Sequence, residues 1–111
     1  MPSPEQPVRR DARYPLRLPV SIRLADREMH TQSENISLNG ILLSSAFLIP
    51  EGSTVELAVA VGRMPNPGIF LTGRGKVLRV RLKDSGDFAV AIGCDRPFGL
   101  TRQSLNSAPT D

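Results

Sequence analysis

The prediction of strands starts from the segment Asn35-Ile36-Ser37-Leu38-Asn39-Gly40-Ile41-Leu42-Leu43. In a β-strand, residues two apart point to the same face, so Asn35 and Ser37 are predicted to share one surface. Asn39 and Gly40 both tolerate positive φ angles, which is typical of a turn between two strands. The segment is therefore predicted to present two polar side chains at a strand end, beside a turn and ahead of an apolar strand.

Outward from this segment, apolar and polar residues alternate in the pattern of half-buried β-strands. The phase of the alternation slips within residues 69–82, which predicts a bulge or sharp bend around residues 73–77. A short helical turn is predicted near residues 100–105, and no helix of ordinary length is expected. Six strands separated by Gly/Pro turns predict an all-β fold, either a six-stranded antiparallel β-barrel or a closed sandwich. The predicted strands are 17–24, 28–37, 40–45, 53–61, 69–82 and 87–94.

Length and composition limit the class of protein. The chain has 111 residues, typical of one domain, and 40% of them are apolar, enough for one modest core. No apolar run is long enough for a membrane span or a signal peptide, so a cytoplasmic location is expected. The single cysteine, Cys94, excludes an internal disulfide and gives no metal cluster, and its place in an alternating strand predicts a buried side chain.

Arginine dominates the basic residues. Of the 14 basic residues two are lysines, Lys76 and Lys83, and the other 12 are arginines, in a chain of net charge +3. The planar guanidinium matches phosphate groups and the N7/O6 edge of guanine, and it stacks on flat rings. The bias therefore favours an anionic or nucleotide partner, with codon usage in a GC-rich genome as the alternative explanation.

A second charged cluster, Arg9-Arg10-Asp11-Ala12-Arg13, lies just before the first predicted strand. Pro15 and the lack of an apolar stripe argue against a helix here. In an extended arm, Arg9 and Arg13 can surround an anion from two sides, each charge-assisted bond contributing roughly 1.5–3 kcal/mol. Taken alone, the cluster is also explained as a solvated basic tail.

The two clusters together resemble the signature of the PilZ domain family. Arg9-x-x-x-Arg13 is similar to its RxxxR element, and Asn35-x-Ser37-x-x-Gly40 to its (D/N)xSxxG element, in the same order and at a similar separation. Residues 75–80 resemble the family's later GxVxxV strand, and residues 88–92 its last strand. The resemblance covers residues 8–98, with residues 8–13 as a ligand-binding arm, residues 1–7 as a disordered tail and residues 99–111 as a short polar tail.

The resemblance implies a six-stranded β-barrel that binds cyclic di-GMP (bis-(3'-5')-cyclic dimeric GMP), a bacterial second messenger. The motif arginines would bind its phosphates and the guanine Hoogsteen edge, and the motif amide would accept hydrogen bonds from guanine N–H groups. The motif serine would contact base, ribose or phosphate, and the motif glycine would leave room for close approach. The implied ligand-binding residues are Arg9, Arg10, Arg13, Asn35, Ser37 and Gly40, with Arg10 as a helper of unassigned role.

Three departures from the family pattern bear on these expectations. Asn35 stands where aspartate is commoner, so base recognition lacks a charge. Val8 precedes the first motif arginine, at a position thought to influence whether one ligand or a stacked pair binds. Little sequence is left for the C-terminal helix of many members, which leaves an apolar barrel end for a partner or a second copy to cover.

No catalytic residue set is found, so an enzyme is not expected, and neither a metal nor a cofactor other than the ligand is implied. His30 is the only histidine, and Ser37 lacks a G-x-S-x-G context. The expected partners are cyclic di-GMP and a downstream protein, without nucleic acid or a membrane span, and a homodimer is left open. Two alternatives remain: a PilZ-like adaptor of pilus or motility systems that binds no nucleotide, and a small OB-like barrel that binds single-stranded nucleic acid.

Overall fold

The structure is a computed structural model that describes residues 12–62 and 68–102. These residues form β-strands joined by short turns, and no helix is found in the two ranges. The strands are β1 Pro19–Leu24, β2 Arg27–Ser37, β3 Gly40–Ser45, β4 Thr54–Ala60, β5 Ile69–Leu82, β6 Phe88–Cys94 and β7 Gly99–Arg102.

Six of the strands close into a barrel. The hydrogen-bonded order is β4-β1-β2-β3-β6-β5, and β5 also pairs with β4, so that the sheet returns to its first strand. Every one of these pairings is antiparallel. The predicted all-β, six-stranded antiparallel barrel is confirmed. Closure of the sheet pairs these six strands with one another, except for the first part of β5, which extends beyond β6.

β7 is an addition to this barrel that the sequence did not reveal. Residues 99–102 pair antiparallel with residues 69–72 of β5, beyond the end of β6 on the same strand edge. The helical turn predicted near residues 100–105 is therefore wrong for residues 100–102, and residues 103–105 lie outside the described residues. All four β7 residues are exposed, so this strand is held by backbone pairing rather than by a buried face.

The barrel core consists of inward-facing residues of all six closing strands and of Ile49, which lies between β3 and β4. In β4 the predicted alternation is confirmed, because Val55, Leu57 and Val59 are buried while Thr54 and Glu56 are exposed. Burying each such side chain stabilises the fold by about 1.5–3 kcal/mol. The core residues are Val20, Ile22, Met29, Ile36, Ile41, Leu43, Ile49, Val55, Leu57, Val59, Val77, Val90 and Ile92.

Two bulges decide which residues face outward beside the Asn35 segment. The register of β2 against β3 shifts between Ser33 and Asn35, so that Glu34 is the extra residue. Because of this shift, Ser33 and Ile36 are both buried in the barrel, and Asn35 lies on the outer face as predicted. The second bulge, in β5, falls between Val77 and Arg79, just after the predicted range 73–77.

Candidate functional site

The segment before β1 lies against the end of β2 and brings the two sequence motifs together. Tyr14 and Ile36 exchange backbone hydrogen bonds: Tyr14 N donates to Ile36 O at 2.8 Å, and Ile36 N donates to Tyr14 O at 2.9 Å. Arg13 is thereby fixed beside Asn35. Arg9 and Arg10, the other predicted arm residues, lie outside the described residues.

Ser33 anchors this segment to the barrel. Its hydroxyl donates to the backbone oxygen of Leu16 at 2.6 Å and accepts from the backbone nitrogen of Leu18 at 2.9 Å. Ser33 is fully buried, and the two bonds satisfy its hydroxyl as a donor and as an acceptor. Sequence reasoning did not single out Ser33. The available signal was that this polar residue lies four positions after Met29, and thus on the same inward face of the strand.

Arg13 and Asn35, which are 22 residues apart, meet side chain to side chain. Arg13 Nη1 donates to Asn35 Oδ1 at 2.9 Å. A guanidinium has five N–H donors, so this bond orients Arg13 and leaves further donors for another acceptor. The carbonyl oxygen of Asn35 has a second lone pair and its amide two donors. The pair therefore forms a prearranged hydrogen-bonding edge on the barrel exterior.

Ser37 and Gly40 close the turn that follows. The Ser37 hydroxyl donates to the Gly40 backbone oxygen at 3.3 Å, and Ser37 is only 5% exposed. A side-chain carbon on Gly40 would lie 3.0 Å from the backbone oxygen of Ile92 and 3.5 Å from Ser37 Oγ. Gly40 thus permits close packing of β3 on β6. The ligand roles predicted for Ser37 and Gly40 stay predictions.

The outer surface around these residues crosses four neighbouring strands, β2, β3, β6 and β5. We call it the site face and define it by two rows of cross-strand partners. The first row is Asn35, Leu42, Ala91 and Arg79. The second row is Ser37, Gly40, Gly93 and Lys76. Glycines occupy the middle of the second row, and Leu42 and Ala91 occupy the middle of the first. The site face has Arg13 near one side and basic β5 side chains at the other.

Among the described residues, no carboxylate forms an ion pair with the basic groups at its rim. Arg13, Lys76, Arg79 and Arg81 are exposed. Within residues 12–62 and 68–102, ion pairs closer than 4 Å form only between Arg23 and Glu28 and between Lys83 and Glu34. An anion on the site face would therefore meet uncompensated positive charge from both sides.

Lys83 holds the bulged residue of β2. Its Nζ donates to the Glu34 carboxylate and, at 3.1 Å, to Ser44 Oγ. The contact joins the end of β5 to the position where β2 changes phase, directly before Asn35. It also neutralises Glu34, the acidic residue closest in sequence to Asn35, so that this carboxylate opposes an anion on the site face less strongly.

A separate groove of about 790 Å³ lies over β1, β4 and β5. It contains three acidic and three basic side chains, so its charges cancel and it gives no preference for an anion. None of the site-face rows enters it. The charged residues that line it are Arg23, Glu28, Glu56, Arg74, Asp95 and Arg96.

The remaining reactive side chains give no catalytic arrangement among the described residues. Burial raises the pKa of the Cys94 thiol to about 11, with a further contribution from the Asp95 charge, so the thiol is protonated at neutral pH. His30 Nδ1 lies 3.4 Å from Ser21 Oγ at an exposed position. No group of three or more possible metal ligands occurs in the part of the chain that the structure describes.

Comparison with known families agrees with the motifs. A family model described as "PilZ domain" matches residues 7–103, which is most of the chain. The chain belongs to the PilZ domain family. The family predicted from RxxxR and (D/N)xSxxG is thus confirmed, and the OB-like alternative is set aside. PilZ domains are binding and adaptor modules rather than enzymes.

A solved structure supports the PilZ fold. The chain is similar to the structure of Bacillus subtilis inhibitor of motility (MotI/DgrA), with a TM-score of 0.69 and 21% sequence identity. The match covers 87% of this chain and 49% of the other, so this PilZ domain spans about half the length of that protein. At this identity the likeness concerns the fold. A search of curated proteins finds no match.

The described part of this PilZ domain contains no helix long and apolar enough to cross a membrane. Of the predicted site residues, Arg13, Asn35, Ser37 and Gly40 lie together at the site face. Their assignment as ligand-binding residues stays a prediction, as does that of Arg9 and Arg10.

Proposed function

We propose that this PilZ domain is a receptor for cyclic di-GMP and that the site face binds the dinucleotide. The observation that carries the proposal is the 2.9 Å hydrogen bond between Arg13 and Asn35, which joins the two motifs. Such a contact across 22 residues aligns one donor group and one amide for the same ligand. The further support is the positive charge on both sides of an uncharged surface.

The chemistry of the ligand matches this arrangement. Cyclic di-GMP has two phosphodiester charges and two guanines, each with an N7/O6 acceptor edge. Arg13 offers a forked donor to either type of acceptor, whereas Asn35 can both donate to and accept from a base edge. The site face spans three strand spacings, about 14 Å, which is the scale of a dinucleotide.

We propose that Arg9 and Arg10 act with Arg13 on the phosphates, because they belong to the same motif. Lys76 and Arg79 attract the ligand from the opposite side of the site face. Charge-assisted bonds contribute about 1.5–3 kcal/mol each, so four of them supply about 6–12 kcal/mol toward binding, from which the cost of association is subtracted. The ligand-bound surface is proposed to be read by a downstream protein.

The similar structure suggests the process in which such a partner acts. That protein is named an inhibitor of motility. We therefore propose a motility component as the downstream partner of this domain. The competing function is an adaptor that binds this component without any nucleotide. It differs from the receptor in a single measurable property, the affinity for cyclic di-GMP.

Isothermal titration calorimetry of the wild-type protein with cyclic di-GMP measures that property. We expect a dissociation constant of about 10 µM or tighter, equivalent to about −7 kcal/mol, and weaker binding as salt is raised. A guanine-containing single-stranded oligonucleotide serves as the matched anionic control and is expected to give no saturable heat. Absence of saturable binding of cyclic di-GMP up to about 100 µM would contradict the receptor function and leave the adaptor.

A further inference from the structure

β5 carries an exposed leucine at its bulge, next to the proposed ligand site. Val77 is buried in the core, so the alternation of a strand turns its neighbour Leu78 outward, and Leu78 is 65% exposed. The register shifts between Val77 and Arg79, which lets Val80 pack against the core again. Leu78 is therefore the residue at which the apolar pattern of β5 changes face.

The position of the Leu78 side chain is fixed by its contact with Gly93. Leu78 Cδ1 lies 2.9 Å from the point that a side-chain carbon on Gly93 would occupy. Gly93 pairs with Gly40, and Gly40 pairs with Ser37. The leucine thus lies over the second row of the site face, about 10 Å, or two strand spacings, from the strand that bears Ser37.

The surface next to Leu78 is also apolar. Ala91 is the neighbour of Gly93 on the same face of β6, and it pairs with Leu42, the cross-strand partner of Asn35. Leu42 and Ala91 are half-buried, so parts of both reach the surface. Neither row of the site face contains an aromatic residue. The apolar surface available to a flat ring here is therefore aliphatic, and Leu78 is its most exposed member.

We infer that Leu78 binds the flat face of a guanine of cyclic di-GMP. This inference rests on the proposed function. A guanine whose edge is hydrogen-bonded by Arg13 or Asn35 still exposes two apolar ring faces to water. Placing one face on Leu78 removes apolar surface of both groups from water. The absence of a side chain on Gly93 leaves the space that Leu78 occupies, so the leucine lies against the barrel surface. Leu78 acts on the ring face, whereas Asn35 and Arg13 act on the edges that distinguish one base from another.

Leu78 has a matched control on its own strand. Leu82 is also 65% exposed, but it pairs at the end of β5 with Phe88, which belongs to neither row, whereas Leu78 lies against Gly93 of the second row. Calorimetry with cyclic di-GMP on Leu78→Ala and Leu82→Ala compares two equal truncations. We expect about tenfold weaker binding for Leu78→Ala, equivalent to about 1.4 kcal/mol, and unchanged binding for Leu82→Ala.

A second measurement uses the wild-type protein and needs no substitution. The methyl protons of a leucine that lies over a purine ring shift upfield because of the ring current. In methyl NMR spectra recorded during a cyclic di-GMP titration, the Leu78 methyl signals are expected to move upfield, while those of Leu82 stay in place. This readout does not depend on how Leu78→Ala folds.

The outcomes distinguish failure of the role of Leu78 from failure of the receptor function. If the wild-type protein binds cyclic di-GMP but Leu78→Ala binds equally well and the Leu78 methyl signals do not move, the role of Leu78 is wrong and the receptor function stands. Equal weakening in Leu78→Ala and Leu82→Ala would likewise overturn the role of Leu78. If the wild-type protein does not bind at all, the receptor function and the role of Leu78 both fail.

Discussion

Replacement of Arg13 by alanine is expected to weaken cyclic di-GMP binding about a hundredfold, equivalent to about 2.8 kcal/mol. The guanidinium bonds to Asn35 at 2.9 Å and keeps further donors for the ligand. The substitution removes at least one charge-assisted bond to the ligand, contributing roughly 1.5–3 kcal/mol, and also frees the Asn35 side chain to rotate. Calorimetric titration of the variant measures the loss directly.

Arg17→Ala is the matched control for Arg13→Ala. It lowers the net charge by the same amount in the same segment, and Arg17 is exposed and precedes β1. If only overall charge matters, both variants lose affinity equally and high salt removes the difference from wild type. Similar losses in the two variants would contradict a direct contact between Arg13 and the ligand. A loss confined to Arg13→Ala supports that contact.

Gly75→Ala is expected to destabilise the protein by about 3 kcal/mol or more, which lowers the melting temperature by more than about 10 °C. A side-chain carbon at this position would lie 2.1 Å from the backbone oxygen of Gly93 and 2.8 Å from Cys94 Cα. Both are backbone atoms of β6, so no rotation of a side chain relieves the contact. The strands must separate where β5 passes from β4 to β6.

Gly99→Ala provides the control for Gly75→Ala. A side-chain carbon on Gly99 meets no atom within 4 Å. Its substitution is expected to change the free energy of unfolding by no more than about 0.5 kcal/mol. Urea unfolding of both variants, followed by far-UV circular dichroism, gives the comparison. A Gly75→Ala protein within about 1 kcal/mol of wild type would show that β5 and β6 do not approach as closely as the structure has them.

The strands and the core were predictable because they depend on local alternation. β4 shows this best, since its valines and leucine alternate without interruption and the sheet buries them as expected. β7 was not predictable, because its four exposed residues carry no apolar pattern and only the free edge of β5 makes them a strand. The bulge at Glu34 was missed for a similar reason: the residues around it are polar, and their alternation is too weak to reveal a slip.

The site was predictable as a motif but not as a surface. The RxxxR and (D/N)xSxxG motifs predicted the ligand-binding residues, and in the structure Arg13 is hydrogen-bonded to Asn35. Ser33, Lys83 and Leu78 were missed because their roles depend on partners that are distant in sequence: the Leu16 backbone, Glu34 at a bulge, and Gly93 on the neighbouring strand. Such partners are fixed by sheet register, which a single sequence does not state.

The central claim is that cyclic di-GMP binds on the site face. Titration of the ¹⁵N-labelled protein with cyclic di-GMP, followed by backbone amide NMR shifts, tests it most directly. We predict that the shifts cluster at Arg13, residues 35–40, Leu78 and Gly93, while the amides of the groove over β1 and β4 stay in place. Shifts confined to that groove, or no shifts at a saturating ligand concentration, would contradict the claim.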